Sequence, residues 1–285
     1  MPEFQDKFIA FVDLLGFKEK IALAEIGDGF SLENIFELTR ELELTAFQES
    51  LNEYGPSTCP GANKLSSDLD FNVTQISDCA IISCEVSEAG LVNLVHAIFQ
   101  IVFRLMQKGI LVRGCLTRGS VYHNGRHIFG SGYHKALDGE RSVTFSSKNE
   151  QDKRPPFVEL SREVVEYQNT ISDVQARETL AKLTLHRNSV SAVYPFNHMG
   201  LFLDSIRQVY LSGDVEEAQR RLIIIVEGLK NCRKLVEQGV DGAGEQEKRY
   251  ANHYVECISE AVENLETRFQ EMKSFNEPYP QAKAT

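Results

Sequence analysis

The chain has 285 residues, 42% of them hydrophobic and 25% charged, the make-up of a globular protein with enough apolar material for a sizeable core. Its net charge of −11 argues against a surface built for nucleic acid or anionic lipid, which would cluster Lys and Arg, but leaves room for a small basic pocket for a triphosphate. No run approaches the roughly 20 apolar residues that span a bilayer, the N-terminus lacks signal-peptide features, and the six cysteines are scattered without a CxxC pair, so a cytoplasmic setting with no membrane, disulfide framework or structural zinc is expected.

In chain order, residues 7–12 (KFIAFV) form a dense β-type run suited to a strand buried on both faces, and the run stops at Asp13. Ser31 to Asn52 predicts one helix, with Ser31 as N-cap and apolar positions Ile35, Leu38, Leu42 and Phe47. The Gly/Pro/Ser-rich stretch GPSTCPGANKLSSD predicts a mobile loop. LDFNVTQI and CAIISCEV predict two strands joined at Ser77-Asp78. Ser87 to Lys108 predicts a second helix ended by Gly109. Asn124-Gly125 then marks a hairpin in which His123 pairs with Arg126 and Tyr122 with His127. Alternation along its arms puts Ser120, Tyr122, His127 and Phe129 on one face. The order strand, helix, strand, strand, helix, strand is the split βαβ pattern of α+β ferredoxin-like and palm folds. A short helix (Ser131 to Glu140) and a strand near PPFVEL follow. From Gly200 to Phe275 the apolar spacing is helical. These boundaries divide the chain into a domain over 1–200, a helical extension over 201–275 that packs on the core or at a dimer interface, and a disordered tail over 276–285.

Two carboxylates stand out. Asp13 closes a buried apolar strand, where an unpaired charge is costly, and Asp78 lies in the turn between the two central strands. A βαββ arrangement brings both to one edge of the sheet. There they repel unless a divalent cation or a shared proton neutralises them, and Mg²⁺ or Mn²⁺ on such oxygens can hold the phosphates of a triphosphate at the same time. The structural alternative makes Asp13 a helix N-cap and Asp78 a turn residue. Gly16 and Phe17 open the next helix, where bare N–H groups favour an anion. Lys18 either reaches a phosphate or is an exposed helix lysine.

FIAFVDLLGF resembles the first metal-binding segment of class III nucleotide cyclases, TQISDCAIIS their second metal-binding turn, and HIFGSGYHKALDGE the start of their later helix. The resemblance covers roughly residues 7–140 and implies a palm-type βαββαβ core. It also implies two divalent metal ions held by Asp13, Asp78 and the Leu14 carbonyl, and a ribonucleoside triphosphate as substrate. The separation of the two aspartates, 78 − 13 = 65, is long for the family. VDLLGFK is similar as well to the first metal strand of diguanylate cyclases, but those carry a GGDEF-like turn where this chain has QISDCA.

The chain also departs from the family. The family's purine-reading Lys or Glu falls on Thr74 and the partner base reader on His127, while its transition-state Asn and Arg fall on His134 and Asp138. That combination resembles the pyrimidine cyclases of bacterial Pycsar anti-phage systems, to which VRGCLTRGSVY is also similar. The resemblance implies UTP or CTP as substrate, cUMP or cCMP as product, a homodimer with active sites at its interface, and a separate effector protein that responds to the product. Arg113 and Arg118 are the candidates for the missing cation. A buried strand arginine needs an anionic partner, and a phosphate, Asp13 or Glu140 would each serve for Arg113. Tyr122 and His127 either pack against a flat base or pair across the hairpin, and His134 is either a nucleotide contact or a surface residue. A cyclase-like module that binds without catalysing is the alternative reading.

Overall fold

The protein is described by a computed structural model over residues 2–56, 68–149, 152–196, 199–240 and 244–275. Cys59, most of the stretch expected to form a mobile loop, and the tail over 276–285 lie outside the described residues.

The chain forms a mixed α/β structure around one eight-stranded sheet. Strand β1 (Gln5–Leu14) leads into α1 (Phe17–Ile26), α2 (Leu32–Glu43) and α3 (Thr45–Tyr54). Then come β2 (Asn72–Ile76), β3 (Cys79–Glu85), α4 (Glu88–Met106), β4 (Val112–Asn124), β5 (His127–Phe129) and α5 (Ser131–Arg141). The sheet is completed by β6 (Val158–Leu160), β7 (Thr184–Arg187) and β8 (Val190–Val193), with α6 (Arg162–Gln168) and α7 (Val174–Leu183) between them. Three helices close the described chain: α8 (Met199–Leu211), α9 (Val215–Gln238) and α10 (Glu245–Phe275). The strand order is β2-β3-β1-β4-β6-β8-β7, with β1 central and antiparallel to both β3 and β4. Two helical crossovers thus interleave, β1 to β2 through α1–α3 and β3 to β4 through α4.

Two expectations need correction. The helix expected over Ser31 to Asn52 is two helices, because Leu44 adopts φ 51° and its buried side chain turns the chain between α2 and α3. The Ser31 cap is present, with the Ser31 hydroxyl accepting from the Asn34 N–H at 3.2 Å and the Asn34 side chain accepting from the Ser31 N–H at 2.9 Å. In the hairpin, the register runs Asn124 to His127, His123 to Ile128 and Tyr122 to Phe129. The two loop residues are Gly125, with φ 54°, and Arg126, one place later than the Asn-Gly signal suggested. Moving both arms by one residue in opposite directions preserves the faces, so Tyr122, His127 and Phe129 still share a side and stack at ring separations of 6.2 and 6.3 Å.

The sheet's two faces are unlike. On one, Phe8, Ala10, Val12 and Leu14 meet α4, whose Leu91, Leu94, Ile98, Ile101 and Leu105 are fully buried. Full burial of each such side chain contributes on the order of 1.5–3 kcal/mol. The same apolar cluster continues without a break into α9 and α10. Among the described residues α4 alone is long and apolar enough to cross a membrane, and 78% of that stretch is buried inside the fold. On the other face Ile9, Phe11, Ile81 and Val121 pack under α5 around Ala136. A Cβ on Gly119 would come within 2.8 Å of the Gly132 backbone, so this pair of glycines lets α5 lie close against β4.

Candidate functional site

Strand alternation decides where each candidate points. Asp13 follows Ile9 and Phe11 onto the α5 face, while Leu14 turns into the α4 core. In register, Asp13 lies between Cys79 on β3 and Arg113 on β4. The Leu14 N–H donates to the Asp78 carbonyl at 3.0 Å, which ties the end of β1 to the β2–β3 turn. Ser77, at φ 54°, makes that turn tight. Asp13 and Asp78 are both half-buried and electrostatically coupled across this junction.

Burial pushes the Asp13 carboxyl up to about 7, helped by the negative charges of Asp78 and then Glu140, and only partly opposed by Arg113. Cys79 is the neighbour that sequence reasoning passed over. Its thiol is pushed up to about 12, by burial first and then by Asp13 and Asp78, and its sulfur donates to the Ile76 carbonyl at 3.1 Å. A neutral thiol is a poor metal ligand, so Cys79 serves as packing beside the carboxylates. The register was the signal that could have found it, since the residue after the turn must face the end of β1.

The site therefore concentrates negative charge in a poorly solvated place, and a divalent cation fits that need. The available donors are all oxygens: the Asp13 and Asp78 carboxylates and the Leu14 carbonyl. Among the described residues no three His, Cys, Asp or Glu side chains converge on one point. Two carboxylates with remaining positions left to water and phosphate is a usual arrangement for Mg²⁺, which keeps several waters and binds through substrate phosphates.

Two residues beyond Leu14, Gly16 takes φ 72° and caps α1 with no side-chain hydrogen bond, so the first N–H groups of that helix have no side-chain acceptor. These groups follow Asp13 directly in the chain, where an anion would be favoured. Lys18 is exposed on that first turn, whereas Phe17 is buried in the α4 core.

The two arginines do not stand free beside Asp13. Arg113 lies on the same face but is held by Glu140, with its Nε and a terminal nitrogen both 2.5 Å from Oε1. It also donates toward the Arg154 carbonyl at 3.3 Å and stacks its guanidinium on Tyr250. Arg118 is an odd number of residues further along an unbulged strand, so it points to the opposite face. There it pairs with Asp6 at 2.6 Å and lies over Tyr167.

The Thr74 hydroxyl donates to the Gly125 carbonyl and lies 2.9 Å from His123 Nε2, while His123 Nδ1 lies 2.8 Å from the Ser83 hydroxyl. This buried triad folds the hairpin back over the α5 face, and burial pushes His123 down to about 4, keeping it neutral. The structure places Thr74 within this lock and His127 on the exposed outer side of the hairpin. Tyr122 is half-buried, and His134 is exposed on α5 beside Tyr133.

No protein-family model matches the chain, and no curated protein matches it. Among solved structures, one of a bacterial light-regulated adenylyl cyclase is similar over 59% of this chain and 46% of its own, with a TM-score of 0.34 and 13% identity. The chain thus spans less than half the length of that cyclase. At that TM-score the likeness carries no functional weight, and the functional reading rests on the site itself.

Proposed function

We propose that the protein is a metal-dependent nucleotide cyclase that converts a ribonucleoside triphosphate into its 3′,5′-cyclic monophosphate and pyrophosphate. The observation that carries this reading is the meeting of Asp13 and Asp78 at one sheet edge, with Asp13 held near neutrality by burial and like charge. The strand order β4-β1-β3-β2 supports a palm-type core. Two divalent ions bound there would acidify the ribose 3′-hydroxyl and neutralise the leaving pyrophosphate.

In this reading the chain's residues position and neutralise. Asp13 and Asp78 would hold the ions from two elements that the Leu14 to Asp78 backbone bond ties together. The open N–H groups around Gly16 and Phe17 face the phosphates, with Lys18 on the same turn. The 3′-hydroxyl proton would pass to Asp13 or to water. Attack of that oxygen on the α-phosphorus expels pyrophosphate in line, and positioning with charge stabilisation supplies most of the rate.

The pyrimidine assignment rests on resemblance. By that resemblance Thr74 and His127 fall, in sequence, on the positions of the base-reading pair of purine-specific cyclases, which implies UTP or CTP as substrate, with UTP preferred, and a product that serves a separate effector in anti-phage defence. The resemblance also implies a homodimer with active sites at its interface; the pairing of Arg113 with Glu140 and of Arg118 with Asp6 is what favours a cation from the partner copy.

The commitment of both arginines to Glu140 and Asp6 also favours a second reading, a cyclase-like module that binds a triphosphate without turning it over. One experiment separates the two. The protein is incubated with each of the four ribonucleoside triphosphates and Mn²⁺, beside an Asp78→Ala control, and products are read by mass spectrometry. A cyclic pyrimidine nucleotide that vanishes in the control supports the cyclase. Saturable triphosphate binding with no product from any of the four establishes the module.

A further inference from the structure

A cavity of 260 Å³ opens far along the sheet from Asp13, between the β7–β8 edge and the C-terminal helices. Its floor is apolar and buried: Tyr194 and Phe196 after β8, and Ala261 and Leu265 from α10, are all less than a tenth exposed. Its rim is polar. Glu260, Asn264 and Arg268 follow one another at helical spacing along α10, and Arg187 faces them from the edge strand β7.

Arg187 and Arg268 have no carboxylate partner among the described residues, whereas eight of the other fourteen arginines do: Arg104, Arg113, Arg118, Arg141, Arg162, Arg220, Arg221 and Arg233. In a chain of net charge −11, two unpaired guanidinium groups at the mouth of a cavity with an apolar floor leave a local positive balance even beside Glu260. Both rim signs act on the floor. Burial is the main cause that pushes up the Tyr194 and Cys257 side chains there; Arg187 lowers both and Glu260 raises both.

We infer that this cavity binds a small organic monoanion with an apolar or aromatic body, a medium-chain or aryl carboxylate, apart from the carboxylate edge of the sheet. The floor would take the body by burial. The guanidinium groups would take the head through paired N–H donors. The rim of two arginines and one glutamate carries a net charge of +1, which matches a carboxylate and disfavours a phosphate dianion beside Glu260. The volume lies just below the usual range for small-ligand pockets, about 300–1,000 Å³, and so favours a compact ligand.

The test uses the full chain with octanoate, benzoate, inorganic phosphate and octanol as probes, followed by titration calorimetry and thermal melting. Saturable binding of octanoate or benzoate is expected, at least tenfold tighter than that of octanol, and weakened at least tenfold in R187A/R268A. Both arginines are exposed, so that variant retains the fold, which circular dichroism checks. Ala261→Phe fills the floor and is expected to abolish binding while leaving the rim charges in place. Equal affinity for octanol, unchanged binding in R187A/R268A, or no binding by either carboxylate would each overturn the assignment. Phosphate binding tighter than both carboxylates would overturn the monoanion preference.

Discussion

The two faces of the central sheet are built from the same strands and do different work. Toward α4, β1 presents Phe8, Ala10, Val12 and Leu14 without interruption, and the apolar cluster runs on into the C-terminal helices. Toward α5 the same strand presents Ile9 and Phe11, and then Asp13 breaks the series. At that row Cys79, Asp13 and Arg113 stand side by side with Glu140 above them. One face supplies stability. The other gives up apolar burial at its end to hold charge where water is scarce, the condition under which carboxylates take up cations or protons.

The sharpest way to break this comparison is to remove a carboxylate. Asp78→Ala is expected to lower cyclic-nucleotide formation by about 10³-fold, the several kcal/mol that metal-held charge contributes to a phosphoryl-type transition state, with melting temperature unchanged or raised. A variant that loses activity together with its fold would mean that the aspartate is structural.

The α4 face should show the reverse pattern. Leu94 is fully buried there, and Leu94→Ala is expected to cost about 3–4 kcal/mol in urea unfolding, near the middle of the range for buried leucines. Leu137 is only partly buried against the smaller α5-side cluster, and Leu137→Ala is expected to cost about 1–2 kcal/mol. Equal costs would mean that the two faces contribute alike.

The difference between the faces was partly legible in the sequence. The unbroken KFIAFV run announced a strand buried on both sides, and its end at Asp13 marked the candidate site. The turn at Ser77-Asp78, the Ser31 cap and the stop at Gly109 depend on neighbours a few residues away, and all three are present. What was hidden depends on distant partners. Nothing local told that Leu44 would take a left-handed conformation, or that the hairpin would turn one residue later. The partner of Arg113 was left open among a phosphate, Asp13 and Glu140, because the choice depends on how α5 lies on the sheet. The face of Arg118 is hidden for a similar reason, because counting along β4 relative to Asp13 requires the strand register, which the sequence does not state.

The charged row can be tested by itself through Glu140. Glu140→Ala leaves Arg113 buried without its anion and is expected to destabilise by about 3 kcal/mol. The double variant Arg113→Met/Glu140→Leu replaces the pair with apolar groups of similar size and is expected to recover most of that loss. Failure to recover would show that the pair shapes the α5–sheet contact beyond balancing its own charges.

The smallest expected effect is the most diagnostic. Folding raises the Asp13 carboxyl from 3.8 to about 7. Between those values the folded state holds a proton that the unfolded chain has released, so stability falls as pH rises across the window. The cost is absent below pH 4 and complete above pH 7. Asp13→Asn removes it and is expected to stabilise the metal-free protein at pH 8 by about 1–2 kcal/mol, after allowing for the solvent that still reaches the carboxyl. At pH 4 the two proteins should unfold at the same urea concentration. Other shifted groups, His123 among them, contribute equally to both and cancel. Mn²⁺ at pH 8 should then raise the melting temperature of the wild type and leave Asp13→Asn where it was, since the ion relieves the same repulsion that the substitution removes. If the substitution destabilised at every pH and Mn²⁺ moved both proteins alike, Asp13 would be a structural acceptor and the α5 face would hold no cation.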